Sequence, residues 1–251
     1  LMRYAWQWIL SLIFVIQMYL SLAVISISYF PYAIVSPKGA QAACRSFGRW
    51  VTFSAKWLVG ITSEIRGQVP DTGVLIASKH QSFFDIILLF STLRTPRFVM
   101  KSELRFVPFL GYYALRIGCV PINRGKRGAA IAKMLADAQS GYTPEGQLII
   151  YPQGTRVPPG VYMPYKVGSA ILYKQLGQDC VPVATNVGLF WPKRGIYRTP
   201  GHAVLEFMAP IAAGEKTHDF MEKIEDVIEN QSNKLMKEAG FTLPDSSPEN
   251  P

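Results

Sequence analysis

Hydrophobic residues are spread unevenly along this chain. No charged residue lies between Arg3 and Lys38, and Ile9 to Ile27 is dense in Leu, Ile, Val and Phe. At 1.5 Å per residue, about 20 such residues cross a bilayer core of about 30 Å. Tyr4, Trp6 and Trp8 at one end and Tyr29, Phe30 and Tyr32 at the other are placed as interfacial belts. Ala40-Gln-Ala42 resembles a signal-peptide cleavage site, but the apolar run far exceeds the roughly 7–15 residues of a signal core. A second helix is expected from about Ala40 to Gly60, with Arg45, Arg49 and Lys56 on one face and Phe47, Trp50, Phe53, Trp57 and Leu58 over much of the rest. That pattern suits the surface of an anionic bilayer, or a core helix packed on the domain that follows. The two helices either span the membrane or form a hairpin dipping into one leaflet, and the pattern does not choose.

From Ser63 the period changes. Short apolar segments at Glu64–Gly67, Val74–Ser78, Arg97–Met100, Gly118–Ile122, Gln147–Tyr151, Val181–Asn186 and Ala203–Met208 read as strands. Helical patterns fall at Asp85–Leu93, Val107–Ile117, Ala129–Ser140, Gly168–Gly177 and Lys216–Ala239. Strands alternating with helices predict a single α/β domain with a mainly buried mixed sheet flanked by helices. The expected organisation is a membrane-associated helical pair over 1–61, the α/β domain over 62–242 and a polar tail over 243–251.

Charge narrows the partners. The net charge is +9, with a pI near 9.5 and a mean hydropathy of +0.15. Such a balance favours anionic partners. Nucleic acid fits poorly, since no basic run interleaved with aromatics occurs outside the second helix. Lys38, Arg45, Arg49 and Lys56 behind the apolar run, against Arg3 in front, place the bulk of the protein on the cytoplasmic side, the inner membrane in a bacterium. The three cysteines, Cys44, Cys119 and Cys180, show no metal-ligand spacing and read as buried thiols in a reducing compartment.

Four segments carry candidate chemistry. His80-Gln-Ser-Phe-Phe-Asp85 follows an apolar strand, and a His and an Asp five apart across a turn can pair. The carboxylate then holds one imidazole tautomer and steadies its positive charge, which makes a general base. The plain alternative is a helix-cap contact, and Ser82 lacks a glycine-flanked elbow, so it reads as a turn residue. Val120-Pro-Ile-Asn-Arg124 leads into a basic, glycine-containing turn, either a phosphate site or a solvated loop. In Leu148-Ile-Ile-Tyr-Pro-Gln-Gly-Thr-Arg156 a strand runs into a turn at Gly154 that presents Arg156 at the strand end, where ligands gather in α/β sheets. It is not a P-loop, and the plain alternative is an Arg that braces the turn. Lys101 also ends a strand, and is otherwise a surface lysine.

Taken in order, these blocks and Val181-Pro-Val183 resemble the PlsC-type glycerolipid acyltransferases, the 1-acyl-sn-glycerol-3-phosphate acyltransferase family. The likeness runs from about Ile65 to Pro210. His80–Asp85 resembles the family's HX4D block and Tyr151–Arg156 its FPEGTR block, with Gln153 standing where the family usually has glutamate. The resemblance implies transfer of a fatty acyl group from acyl-ACP or acyl-CoA, both acidic donors, to the sn-2 hydroxyl of lysophosphatidic acid. It implies His80 as base, Asp85 as its orienting partner, and Arg124, Gln153, Gly154, Thr155, Arg156 and Lys101 at the acceptor. It implies no metal and no bound cofactor. A lyso-aminolipid acceptor, glycerol 3-phosphate, thioester hydrolysis, or a lipid-binding protein with a site altered at Gln153 are the alternatives.

Overall fold

The computed structural model describes residues 2–122, 136 and 146–244. Arg124, all but Ala136 of the helix expected at Ala129–Ser140, and most of the polar tail lie outside them. The apolar run forms one helix, α1, Met2–Val35, which continues through Pro31. At Ser36 the chain turns sharply. The Ser36 hydroxyl accepts from the Lys38 N–H, and Pro37, with φ already set and no N–H to satisfy, opens α2, Pro37–Ser54. Gly39 permits the corner, since a Cβ there would lie 2.5 Å from the Tyr32 backbone. α2 ends in one π turn, Ala55–Val59, closed by Gly60 in the left-handed region. The second helix therefore starts earlier than its pattern suggests.

The two helices form an antiparallel hairpin, tied by Tyr29 to Ser46 at 2.9 Å and by Gln17 to Ser54 at 2.9 Å. α1 is also docked on the following domain near both ends. Gln7 donates to the carbonyls of Val59 and Arg198, and the Arg198 N–H donates to Ser11. Further along, Tyr113 donates to the Ser26 carbonyl, and Arg116 caps the carbonyls of Ala33 and Ile34 at 2.8 Å each. Facing away from all this, Trp6, Ile9, Ile13, Ile16, Leu20, Val24 and Ile27 form an exposed apolar stripe at three- and four-residue spacing.

Seven strands make one sheet among the described residues: β1 Ile61–Arg66, β2 Leu75–Ser78, β3 Arg97–Lys101, β4 Val120–Ile122, β5 Leu148–Ile150, β6 Cys180–Thr185 and β7 Gly201–Phe207. Their order is β1-β7-β6-β2-β5-β3-β4, with β2 to β6 running one way and β7 antiparallel to β6. The sheet is mixed, as expected. β1 begins three residues before its apolar pattern, because Ile61 pairs with Gly201 and is fully buried.

Period-two alternation divides the core. Ile76, Phe98, Ile149 and Val181 face α1, α2, α3 (Phe84–Thr92) and α4 (Leu110–Arg116). Leu75, Ala77, Val99 and Leu148 face α5 (Gly168–Leu176) and α6 (Thr217–Glu238). Helix α4 is shorter than the expected Val107–Ile117. Phe109 has a φ of 61°, which a continuing helix cannot contain, and Ser102–Phe106 before it forms a 3₁₀ turn.

Candidate active site

β2 delivers the chain to the carboxyl end of the parallel strands, and His80 lies two residues beyond it. Asp85 stands in the first turn of α3, where unsatisfied N–H groups favour a carboxylate. It is fully buried. One oxygen, Oδ2, accepts the N–H groups of Gln81 and Ser82 at 2.9 and 2.8 Å. The other, Oδ1, meets Nδ1 of His80 at 2.9 Å and accepts the Tyr151 hydroxyl at 3.1 Å. A carboxylate only accepts, so Nδ1 is the donor, and in the neutral imidazole that leaves the Nε2 lone pair as the base. The Tyr151 ring stacks on the imidazole with centroids 3.8 Å apart. Burial, and then the Asp85 charge, hold the Tyr151 hydroxyl well above the usual phenol range, so it stays a donor. The Ser82 hydroxyl caps the Phe84 N–H at 3.0 Å, in keeping with a turn residue.

The β5 turn lies against this base. The Val157 N–H donates to the His80 carbonyl at 2.8 Å, and Gly154, with φ of 70°, turns the chain back. A side chain at Gly154 would be strained, and its Cβ would lie 2.9 Å from the Lys166 ammonium. Arg156 donates to the Lys193 carbonyl at 3.2 Å, and the Lys193 ammonium donates to the Thr155 hydroxyl at 3.4 Å. Among the described residues, Arg156, Lys166 and Lys193 form no ion pair. Three cations thus surround one short turn with their charge uncompensated, a built environment for a phosphate.

Lys101 ends β3 on the same edge of the sheet, exposed, with Glu103 at 3.2 Å. Its strand neighbour in register is Ile122, two residues before Arg124. Gln153 is placed differently. It is 2% exposed, and its amide donates to the Met163 carbonyl at 3.0 Å and lies 3.5 Å from Glu229. The described geometry turns this side chain into the protein.

Pattern reading misses Lys166, Lys193, the Tyr151 hydroxyl and Glu229. Lys166, Lys193 and Glu229 come from elements whose position depends on how distant segments pack, and Tyr151, though inside the Tyr151–Arg156 block, carries no sign there that its hydroxyl reaches Asp85. A second feature had no sequence signal either. An apolar pocket between α1, α2, α3 and α4 is lined by Leu22, Phe47, Phe83, Ile87, Ala114 and Ile117, among others. Phe83 belongs to the His80 turn. Burial holds the thiols of Cys44, Cys119 and Cys180 up at about 12, which suits packing.

Comparison with known proteins bears on this arrangement. A family model described as Acyltransferase matches residues 60–186, half of the chain. A 1-acyl-sn-glycerol-3-phosphate acyltransferase of Pseudomonas aeruginosa is 31% identical over 163 residues, covering 64% of this chain and 62% of the relative. The chain thus matches about three fifths of that relative's length. The alpha enzyme of the same name from Mus musculus is 25% identical over 198 residues, 76% of this chain and 69% of the relative. In three dimensions, the crystal structure of the LPA acyltransferase PlsC from Thermotoga maritima superposes with a TM-score of 0.77 over 93% of this chain and 98% of that one, at 19% identity. That likeness shows a shared fold.

Proposed function

The chain belongs to the acyltransferase family, and from that premise we propose that it moves a fatty acyl group from a thioester to the sn-2 hydroxyl of lysophosphatidic acid. The observation that supports this most is one backbone hydrogen bond: Val157 to His80 sets the cationic turn directly beside the base. A phosphate held on the turn brings a hydroxyl of the same small molecule to the imidazole. His80 takes the hydroxyl proton at Nε2 while the oxygen attacks the thioester carbonyl. The C–S bond then breaks, and the imidazolium returns the proton to the leaving sulfur. Asp85 holds the ring and offsets its charge. Arg156, Thr155, Gly154 and Lys101, with Arg124, hold the phosphate, and Lys166 and Lys193 add to that charge. Positioning of this kind accounts for as much as roughly 7–11 kcal/mol of a barrier in ideal intramolecular cases. The donor is acyl-ACP or acyl-CoA, each acidic against a chain of +9.

The test is direct. Purified protein in detergent or vesicles, given lysophosphatidic acid and each donor, should yield phosphatidic acid. No product with either donor sinks the reading, and product only with a lyso-aminolipid moves the acceptor assignment there.

α1 supports a bilayer location. It is apolar and long enough to cross a membrane. Because it is docked near both ends on one domain, we read it as lying in a single leaflet, with the exposed stripe in lipid and the domain on the cytoplasmic face. The apolar pocket, about 80 Å³, has room for a few methylenes and would take the end of an acyl chain. Replacing Ala114 by Phe is expected to fill it and shift the preferred donor by several carbons toward shorter chains. Competition between donors of different length would measure this, and an unchanged profile would place the acyl chain elsewhere.

A further inference from the structure

Alternation along β2 continues past its end. Leu75 and Ala77 face α6, and so do Lys79 and Gln81, while His80 between them projects to the other side. Lys79, only 2% exposed, donates to both oxygens of Glu229 on α6, at 2.6 and 2.7 Å. Gln81, fully buried, bonds Met236 of the same helix and accepts the Gly188 N–H at 3.0 Å. Glu229 accepts the Tyr165 hydroxyl at 2.9 Å, and its Oε1 lies 3.5 Å from the Gln153 amide. A single carboxylate therefore touches both working turns, the base turn through Lys79 and the cationic turn through Gln153. Burial, and then the Glu229 charge, push the Tyr165 hydroxyl far up, so it remains a donor to that carboxylate.

Apolar residues of similar volume would stabilise such a site at least as well as a buried ion pair. What charge adds is direction: a two-pronged, charge-assisted contact fixes where the Lys79 backbone lies. We propose that Glu229 is a positioning residue for acyl transfer, setting the base turn and the acceptor turn relative to each other from a helix outside the matched residues 60–186. This rests on the function proposed above. The geometry also accounts for glutamine at 153. A carboxylate there would stand beside that of Glu229, with Lys79 alone to neutralise both.

The decisive variants are Lys79→Met with Glu229→Met, which removes both charges together, and Gln153→Glu with Glu229→Gln, which moves the carboxylate to the neighbouring side chain. The Met pair should fold, with a melt lowered modestly because the Tyr165 hydroxyl loses its acceptor. Its kcat should fall at least about tenfold with the acceptor KM changed less than about twofold, since small misplacements near reacting groups are costly. The relocated carboxylate should recover most of what Glu229→Gln alone loses. Parental kcat in the Met pair, or no recovery on relocation, would overturn the proposal. Ring-nitrogen NMR of His80 separates this from the assigned reaction. If the parent fails to acylate lysophosphatidic acid, the reaction is wrong. A shift of the His80 ring signals in the Met pair still supports positioning, and unchanged signals refute it.

Discussion

Asp85→Asn is expected to lower kcat by about three to four orders of magnitude while the protein stays folded. The reason lies in the four groups around this carboxylate. Two backbone N–H groups face Oδ2, and the His80 ring and Tyr151 hydroxyl face Oδ1. An asparagine must place its oxygen toward the two N–H groups, since its NH₂ cannot oppose them. The NH₂ then faces Nδ1, which has to accept. The proton moves to Nε2, and the imidazole can no longer take one from a hydroxyl. The stability cost should be about 1–3 kcal/mol, the usual range for a disturbed buried polar group. His80→Ala should lose activity to a similar extent, and the double variant little more, because the two residues act as a unit. Steady-state kinetics and thermal melts would check this. An Asp85→Asn enzyme keeping a tenth of parental kcat would show that the base lies elsewhere.

Arg156→Met should raise the KM for lysophosphatidic acid about a hundredfold, with a smaller fall in kcat. A charge-assisted hydrogen bond contributes about 1.5–3 kcal/mol, and 1.4 kcal/mol is a factor of ten. The side chain spends one N–H on the Lys193 carbonyl, and its other donors have no protein partner among the described residues. Removing it also frees the loop that carries Lys193. Lysine at this position should restore little, since an ammonium cannot bond that carbonyl and fork onto a phosphate with the same geometry. An unchanged KM, measured against acceptor at saturating donor, would remove Arg156 from the phosphate site.

The elements of the sheet were legible because period and turn chemistry are local. All seven expected strands occur within a few residues of their patterns, and His80 meets one oxygen of Asp85 across the turn while the other accepts the turn's own N–H groups. What stayed hidden depends on topology. Lys193 follows β6, which pairs with β2, and only that pairing sets the loop after β6 beside the turn after β5. Glu229 lies in a helix whose polar positions look alike in one dimension, and only packing shows that one of them is opposite a buried lysine. Gln153 was read beside the acceptor because its neighbours Gly154, Thr155 and Arg156 are at the turn. The helix expected at Val107 failed at Phe109, whose φ of 61° breaks it, and just beyond, a Cβ at Gly111 would lie 2.1 Å from the Arg105 carbonyl.

The bond from Val157 to the His80 carbonyl joins main chain to main chain, so of all replacements at 157 only proline, which lacks the N–H, deletes it directly. Base turn and cationic turn are joined at this main-chain point and again through Glu229, while the apolar pocket is built from four helices on the α1–α4 face of the sheet. The consequence is modularity. Under the proposed function, headgroup choice is expected to respond to side chains on the turn and tail length to side chains in the pocket, with the two sets of changes combining additively in free energy. Altering the length of the turn, by contrast, would damage both binding and chemistry at once.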